Sequence, residues 1–504
     1  MKSSKIAEIV KSRAITWFLN RNWFVFSSGA SSPFQQSHRK WRILAAIALI
    51  TLALTNANAL TYVVNTTDDT VTASACKNGT AGCSLRGAIL EANAHFGDDT
   101  IVFNLPAGSL INLTQALPDI SESMDINGPG ADKLIVWLPV GDPVIYLFNV
   151  TASGTVTLSG LTIGYQDAFG DRSQGGGVMN SSTGTVNITN CIIRDNLVSS
   201  STTDARGGGI HNVSGIVNVT NSTLNGNSVS GEPFIGFGGG IYNESGTVNV
   251  TNSTLINNSS IGGCGGGIYN NTNGTLNVTN STLSGNFAGS DSEGESLGGG
   301  AICNSGTLNV INSTLSGNGM FNNSLSHGGT GGGGILNFSN GPINVTNSTI
   351  SGNTVYGTGS AGGGGGIFNI GPGAVNVKSS IIAMNTSSTS GPDVFGTFIS
   401  QGFNLIGKKD GSTGFTMGTD KKGTIASPLN PKLDPKGLRD NGGPTQTIAL
   451  LTGSPAIDKG TSNSLIGKLT TDQRGLSRTV DNSSIPNATG GDGTDIGAFE
   501  LGAH

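Results

Sequence analysis

The sequence predicts an all-β chain: a right-handed parallel β-helix solenoid with a short helix capping its N-terminal end. Three observations predict it. First, a phrase made of a glycine run, an aliphatic and an asparagine recurs seven times. It reads GGGVMN at 175–180, GGGIHN at 207–212, GGGIYN at 238–243 and at 265–270, GGGAICN at 298–304, GGGGILN at 331–337 and GGGGGIFN at 362–369. Second, each phrase is followed by a strand-like run closing on another asparagine, as in TVNVTNSTLINN at 247–258. These closing asparagines lie 31, 31, 28, 32, 35 and 32 residues apart, a period that marks a solenoid, a propeller or an array. Third, no unit shows the i, i+3, i+4 stripe of a helix. A propeller blade needs about 40 residues and four longer strands, so stacked coils fit better, about 4.8 Å apart and with the handedness usual for parallel crossovers.

The elements follow in order. Residues 1–59 read as an export segment. Lys2, Lys5, Lys11, Arg13, Arg21, Arg39, Lys40 and Arg42 precede the apolar run Ile43–Leu54, and Ala57-Asn58-Ala59 has the small-x-small form of a cleavage site. The run is too short to span a bilayer, so no transmembrane helix is expected once this segment is removed. Residues 60–150 form the N-terminal cap and first coils, with strands at Tyr62–Asn65 and Thr100–Asn104. Between them Leu85, Ala88, Ile89 and Ala92 fall at helical spacing behind Ser84, a good N-cap. This helix is expected to cover the open end of the first turn.

Residues 151–398 are the repeat array. Within 247–258, Val248 and Val250 alternate with Thr247, Asn249 and Thr251, which is the period of a half-buried strand. With Thr254-Leu255 and Ile241, each unit is read as three short strands joined at Asn and Gly corners. Stacking then aligns Asn180, Asn212, Asn243, Asn270, Asn304, Asn337 and Asn369 in one column. It aligns Asn196, Asn227, Asn258, Asn286, Asn318, Asn353 and Asn385 in another. Amides donate and accept, so stacked amides can satisfy one another. The spans Asn227–Gly238, Asn286–Gly298 and Asn318–Gly331 are read as variable loops along one edge. Residues 399–504 are read as C-terminal coils and a cap.

Charge and cysteine limit the partners. Removing 1–59 takes eight of 26 basic and one of 31 acidic residues, leaving 18 against 30, a net charge of about −12. That argues against nucleic acid or an anionic membrane surface. Cys76 and Cys83, in a glycine-containing loop, are expected to pair in an exported protein. Cys191, Cys264 and Cys303 stand in separate repeats without CxxC spacing. Either one stays free or two pair across turns, and no metal site is expected.

Two ends carry specific motifs. CSLRGAILEANA at 83–94 resembles the N-terminal "CSLREA" domain of exported bacterial proteins, with Gly87 in place of its glutamate. The glycine phrases, together with Leu283–Asn286 and Leu315–Asn318, resemble the polymorphic outer-membrane protein repeats of chlamydiae, which use Phe where this chain has Leu or Ile. DNGGPTQTIALLTGSPAIDKG at 440–460, TDQRGLSR at 471–478 and DIGAFE at 495–500 resemble the "choice-of-anchor Q" domain. These resemblances imply a parallel β-helix, pectin-lyase-like in fold, secreted or carried on a cell surface or outer membrane. None of them implies a reaction.

Such folds also carry polysaccharide lyases and hydrolases, and fold alone settles nothing about catalysis. Those enzymes cluster carboxylates in a groove. Charge concentrates in the first repeats at Asp167, Asp171, Arg172, Arg194, Asp195, Asp204, Arg206 and His211. The alternative enzyme reading, a polysaccharide lyase or glycoside hydrolase, rests on Asp171, Asp195, Asp204 and Arg206. A solvated loop cluster with its own ion pairs is the simpler account. No cofactor is expected. The acidic loop Asp291, Glu293, Glu295 has the groups to bind calcium weakly but reads more simply as a solvated loop, and GDGTD at 491–495, which resembles a fragment of a calcium loop, reads as part of a terminal strand. The sequence therefore favours an exported, non-enzymatic, adhesin-like protein that contacts a polysaccharide, or a host or cell surface, through its variable loops.

Overall fold

The computed structural model describes residues 58–139, 146–165, 175–231, 234–290, 297–322, 331–357, 363–388 and 391–503. All of the expected export segment except 58–59 lies outside them. The chain is a parallel β-helix. One turn shows how: strands Ile241–Asn243, Thr247–Thr251, Thr254–Ile256 and Ser259–Ile261 occupy four faces, here called one to four. Each pairs in parallel with its equivalent a turn later, so that Asn243 faces Asn270, Val248 faces Leu276, Leu255 faces Leu283 and Ser259 faces Phe287. Among the described residues face three stacks 12 strands and face four stacks 7. Faces one and two merge into one sheet because the strand Val394–Ser400 pairs on face one at its start and on face two at its end.

The sequence reading of three strands per unit is corrected to four. The fourth face begins directly after each closing asparagine, at Ser228–Ser230, Ser259–Ile261, Phe287–Ser290 and Gly319–Asn322. Three of these stretches, at 228–230, 287–290 and 319–322, fall at the start of the spans that the sequence predicts to be variable loops. The stretches share no phrase; what recurs is one inward residue of changing size, with Val229, Ser260, Ala288 and Met320 stacked in register.

Period-two alternation works as expected on the other faces. Val248 and Val250 of face two, Leu255 of face three and Ile241 of face one are fully buried, each burial contributing roughly 1.5–3 kcal/mol. One core continues from Tyr62 and Ala88 at the N-terminal end to Phe398 and Phe415 at the other. The three glycines of the repeated phrase have separate causes. Gly238 takes a left-handed φ of 69°, while a Cβ on Gly239 would overlap the Ser259 carbonyl and one on Gly240 would come within 2.5 Å of the Gly267 carbonyl.

Both asparagine columns form, and both run in one direction. Asn180 Nδ2 donates to Asn212 Oδ1 at 2.9 Å, and the pattern repeats through Asn243, Asn270, Asn304 and Asn337 to Asn369. The second column runs from Asn196 through Asn227, Asn258, Asn286, Asn318 and Asn353 to Asn385. Asn385 Nδ2 donates to Asp393 Oδ1 at 2.9 Å. The final member needs only to accept, which a carboxylate does without leaving an amide N–H unmet; burial pushes the Asp393 carboxyl up to about 6. A serine column lies beside them, each backbone N–H donating to the hydroxyl one turn on, from Cys191 to Ser222, Ser253, Ser281 and onward to Ser380. The corners ahead of it are left-handed at Asn221, Asn252, Asn280, Asn312 and Asn347, a conformation asparagine tolerates better than most residues.

The two ends differ. At the N-terminus a one-turn helix α1 (Ala75–Asn78) precedes α2 (Leu85–Ala94), and the Ser84 hydroxyl accepts from Gly87 N–H at 3.1 Å. Leu85, Ala88, Ile89 and Ala92 enter the solenoid core, as a lid should. Arg86 is buried against Asp69 at 2.8 Å and donates to the Gln115 carbonyl, which pins the lid to the coil below it. At the C-terminus the coils continue to Lys421–Lys422. The remainder does not simply cap that end. Residues 428–503 fold back along face three, with Gln473 bonded to Ser281 and Thr314, Arg478 to Asn312, and Ala498 to Thr349. We call this segment the clasp. Within it GDGTD at 491–495 is loop rather than strand; Asp492 accepts from Ser462, and Asp495 from the Asp458 and Leu501 amides.

Candidate functional site

Within the phrase GGGI-x-N, the position x points outward from face one. Parallel register stacks Met179, His211, Tyr242, Tyr269, Cys303, Leu336 and Phe368 there. A second outward column precedes it, where Arg206 pairs with Phe237 and Phe237 bridges to Cys264. Polar and aromatic groups meet where the two columns run side by side.

His211 is fully buried. Its Nε2 lies 3.3 Å from Glu244 Oε2, and its ring meets Tyr242 edge-on at 4.9 Å. Burial lowers the imidazole pKa, against an opposing pull from Glu244, so the ring is neutral near pH 7. The hydrogen bond from His211 in turn lowers the Glu244 carboxyl. The Arg206 guanidinium stands over the Tyr242 ring at 5.6 Å and contacts Asp204 at 3.5 Å. Tyr242 stacks on Tyr269 at 5.4 Å, and Tyr269 meets Phe237 at 4.6 Å. Burial pushes the Tyr242 phenol up to about 12, so it stays protonated as a hydrogen-bond donor.

The residues of the enzyme alternative are only partly brought together. Asp204 and Arg206 sit side by side in this cluster. Asp195 occupies a left-handed corner after face three and pairs with Arg194 at 2.9 Å; Arg194 stands over Trp137 at 5.8 Å. Asp171, with Asp167 and Arg172, lies outside the described residues, as does the acidic loop Asp291, Glu293, Glu295. Among the described residues no group of three or more His, Cys, Asp or Glu side chains is placed to hold a metal ion, and no helix is long and apolar enough to cross a membrane.

The cysteines sort into three roles. Cys76 and Cys83 are bonded, tying α1 to the start of α2. Cys264 and Cys303 are bonded across neighbouring turns, joining the two outward columns. Cys191 is free and buried at the first position of the serine column, and burial pushes its thiol up to about 11, which leaves it unreactive. Sequence reasoning listed Arg206 and His211 among the early charges but did not join them to Glu244 or to the aromatic residues. The available signal was the x position itself, whose side chain changes in size and chemistry from turn to turn while the asparagine after it does not.

No family model, no curated protein and no solved structure matches this chain.

Proposed function

We propose that this chain is an exported β-helix protein, secreted or held at a cell surface or outer membrane, which works by binding a partner rather than by turning over a substrate. The observation that carries the reading is the pair of disulfides, Cys76–Cys83 and Cys264–Cys303, since such bonds form and persist in oxidising compartments. The apolar run Ile43–Leu54 ahead of Ala57-Asn58-Ala59 supports export independently. The resemblances to CSLREA, polymorphic outer-membrane protein and choice-of-anchor Q sequences point the same way. Binding is favoured over turnover because the described carboxylates of the enzyme reading do not converge and are each engaged, Asp195 by Arg194 after face three and Asp204 by Arg206 on face one, where Glu244 is engaged by His211.

Cell fractionation with sequencing of the mature N-terminus tests the export reading. Protein outside the cytoplasm, beginning at Leu60, is the expected result; full-length reduced protein in the cytosol would overturn it. Turnover of a uronate polymer, with or without calcium, that disappears in Asp204→Ala would replace the binding reading with the enzymatic one.

A further inference from the structure

The cluster on face one has more hydrogen-bonding capacity than the fold uses. Among the described residues Arg206 makes one ion-pair contact, to Asp204 at 3.5 Å, and its buried Nε has no hydrogen-bond partner. A guanidinium kept for stability normally has its fork filled. This one stands 5.6 Å from the Tyr242 ring centre with its side chain 30% exposed, and the side chains of Asp204, its partner, and of Glu244, the partner of His211, are each 36% exposed. Beside it, Phe237 and Tyr269 are half-buried and touch each other. The Cys264–Cys303 disulfide closes the strip one turn further on, linking the column of Phe237 to the column of Tyr269.

We propose that this strip is a binding platform for a neutral glycan chain, with sugar rings packed on Phe237 and Tyr269 and their hydroxyls bonded to Arg206, Asp204 and Glu244. The proposal rests on the binding reading above. A sugar ring presents apolar C–H faces that lie against aromatic rings, and rim hydroxyls that both donate and accept. A donor-only guanidinium in one cluster with acceptor-only carboxylates matches such a rim, and a few placed polar groups beside aromatic surface is the usual make-up of a ligand site. Charge selects against an anionic ligand. With His211 neutral, two carboxylates outnumber one guanidinium, so an acidic saccharide is repelled. An apolar peptide is disfavoured too, because it would cover Arg206 and both carboxylates without partners for them.

Calorimetric titration of the full mature chain tests the platform, using cellohexaose, xylohexaose, mannohexaose, laminarihexaose and chitohexaose, with trigalacturonate as the anionic probe. The expected result is binding of at least one neutral hexasaccharide and weaker or no binding of trigalacturonate. Phe237→Ala and Tyr269→Ala should each weaken binding about tenfold or more, and Arg206→Lys about tenfold, with circular dichroism showing each variant folded at the assay temperature although the two aromatic truncations lower the melting temperature. Tyr356→Ala, at a 60% exposed site on face four, should bind like the parent chain. The proposal is overturned if no neutral oligosaccharide binds, if trigalacturonate binds best, or if the Phe237 and Tyr269 variants retain parental affinity. Fractionation reads export separately, so losing the platform would leave that conclusion standing.

Discussion

Thr223 and Thr254, on the outer side of face three, are half-exposed, whereas Thr282, Thr314 and Thr349 at the equivalent position of later turns are buried. The local sequence is the same Asn-Ser-Thr in all five turns. The difference comes from the clasp, which covers the later turns and leaves the earlier ones open. There the Thr282 hydroxyl donates to the Gln446 carbonyl at 2.6 Å, the Thr314 hydroxyl to Gln473 Oε1 at 2.6 Å, and the Ala498 amide to Thr349. One turn further, threonine gives way to Ile381, where the clasp brings Leu433, Ile448, Ile457 and Phe499. A repeat built for its own stacking thus doubles as a docking strip, and its periodic hydroxyls meet a partner that has no period.

The largest effect should come from breaking the clasp at its centre. Arg478 is fully buried, bonded to Asn312 Oδ1 at 2.7 Å and the Gly497 carbonyl at 2.9 Å, with Asp472, Asp495 and Glu500 around it. Asp472 keeps its own pair with Arg474 at 2.6 Å, but Arg478→Met takes the nearby cation from Asp495 and Glu500 and the donor from Asn312 and Gly497, at a cost of about 3–5 kcal/mol. Hydrogen exchange should then show protection lost across 428–503 and at Thr282 and Thr314, while Ile210–Asn212 and Thr247–Thr251 stay protected. Simultaneous loss everywhere would show that the two regions are one cooperative unit.

A somewhat smaller effect is expected inside the solenoid, and it should not depend on the clasp. Asn258→Leu removes the acceptor of Asn227 N–H and Nδ2, and the donor to Asn286 Oδ1 and the Leu224 carbonyl. With partial rebonding this costs about 2–4 kcal/mol. Asn318→Leu makes the same change beneath the covered region and should cost the same within error in thermal denaturation. A clearly smaller loss at Asn318 would mean that the clasp supports the column from outside.

What could be read from the sequence divides along the same line. The period, the inward aliphatics and both asparagine columns were legible because each depends on neighbours one turn away, and the repeat states that spacing. Helix α2 was legible from Ser84 and the spacing of Leu85, Ala88, Ile89 and Ala92. The fourth face was not, because a strand held by one inward residue, Val229 here and Ala288 there, leaves no phrase behind. Nor was the course of the clasp: Gln473 meets Ser281 across 192 residues, and neither residue carries a local mark of the other. The cluster at Arg206 and His211 was half legible. The charges were visible, but Glu244 and Tyr269 join them only through the register of the turns.

The clasp should also respond to pH. Burial, and then the charge of Asp495, push the Glu500 carboxyl up to about 7, and burial holds Asp495 near 6. A carboxyl whose folded pKa is raised stabilises the fold fully only below its unfolded value near 4.5. That stabilisation falls as pH climbs and is gone above about 7. The clasp should therefore exchange faster at pH 8 than at pH 5, while face two of the open turns changes little beyond the intrinsic rate. Glu500→Gln should flatten the dependence; an unchanged profile would remove Glu500 as its source.

The smallest effect isolates the docking strip itself. Thr282→Val deletes a hydroxyl that donates to the Gln446 carbonyl and accepts from Gln473 Nε2 at 2.8 Å; Gln473 Nε2 keeps Thr445 and the Ser281 carbonyl, so the loss should be about 1 kcal/mol. Thr254→Val makes the same change two residues after a left-handed Asn252 corner, where the hydroxyl faces water. It should cost close to nothing, or stabilise slightly through the strand preference of valine. The two variants share a repeat position and a chemical change, so backbone and intrinsic terms cancel in their difference. What remains, read from paired melting curves, is the contribution of the clasp at one turn; equal costs would mean that the Thr282 contacts do not hold the clasp in solution.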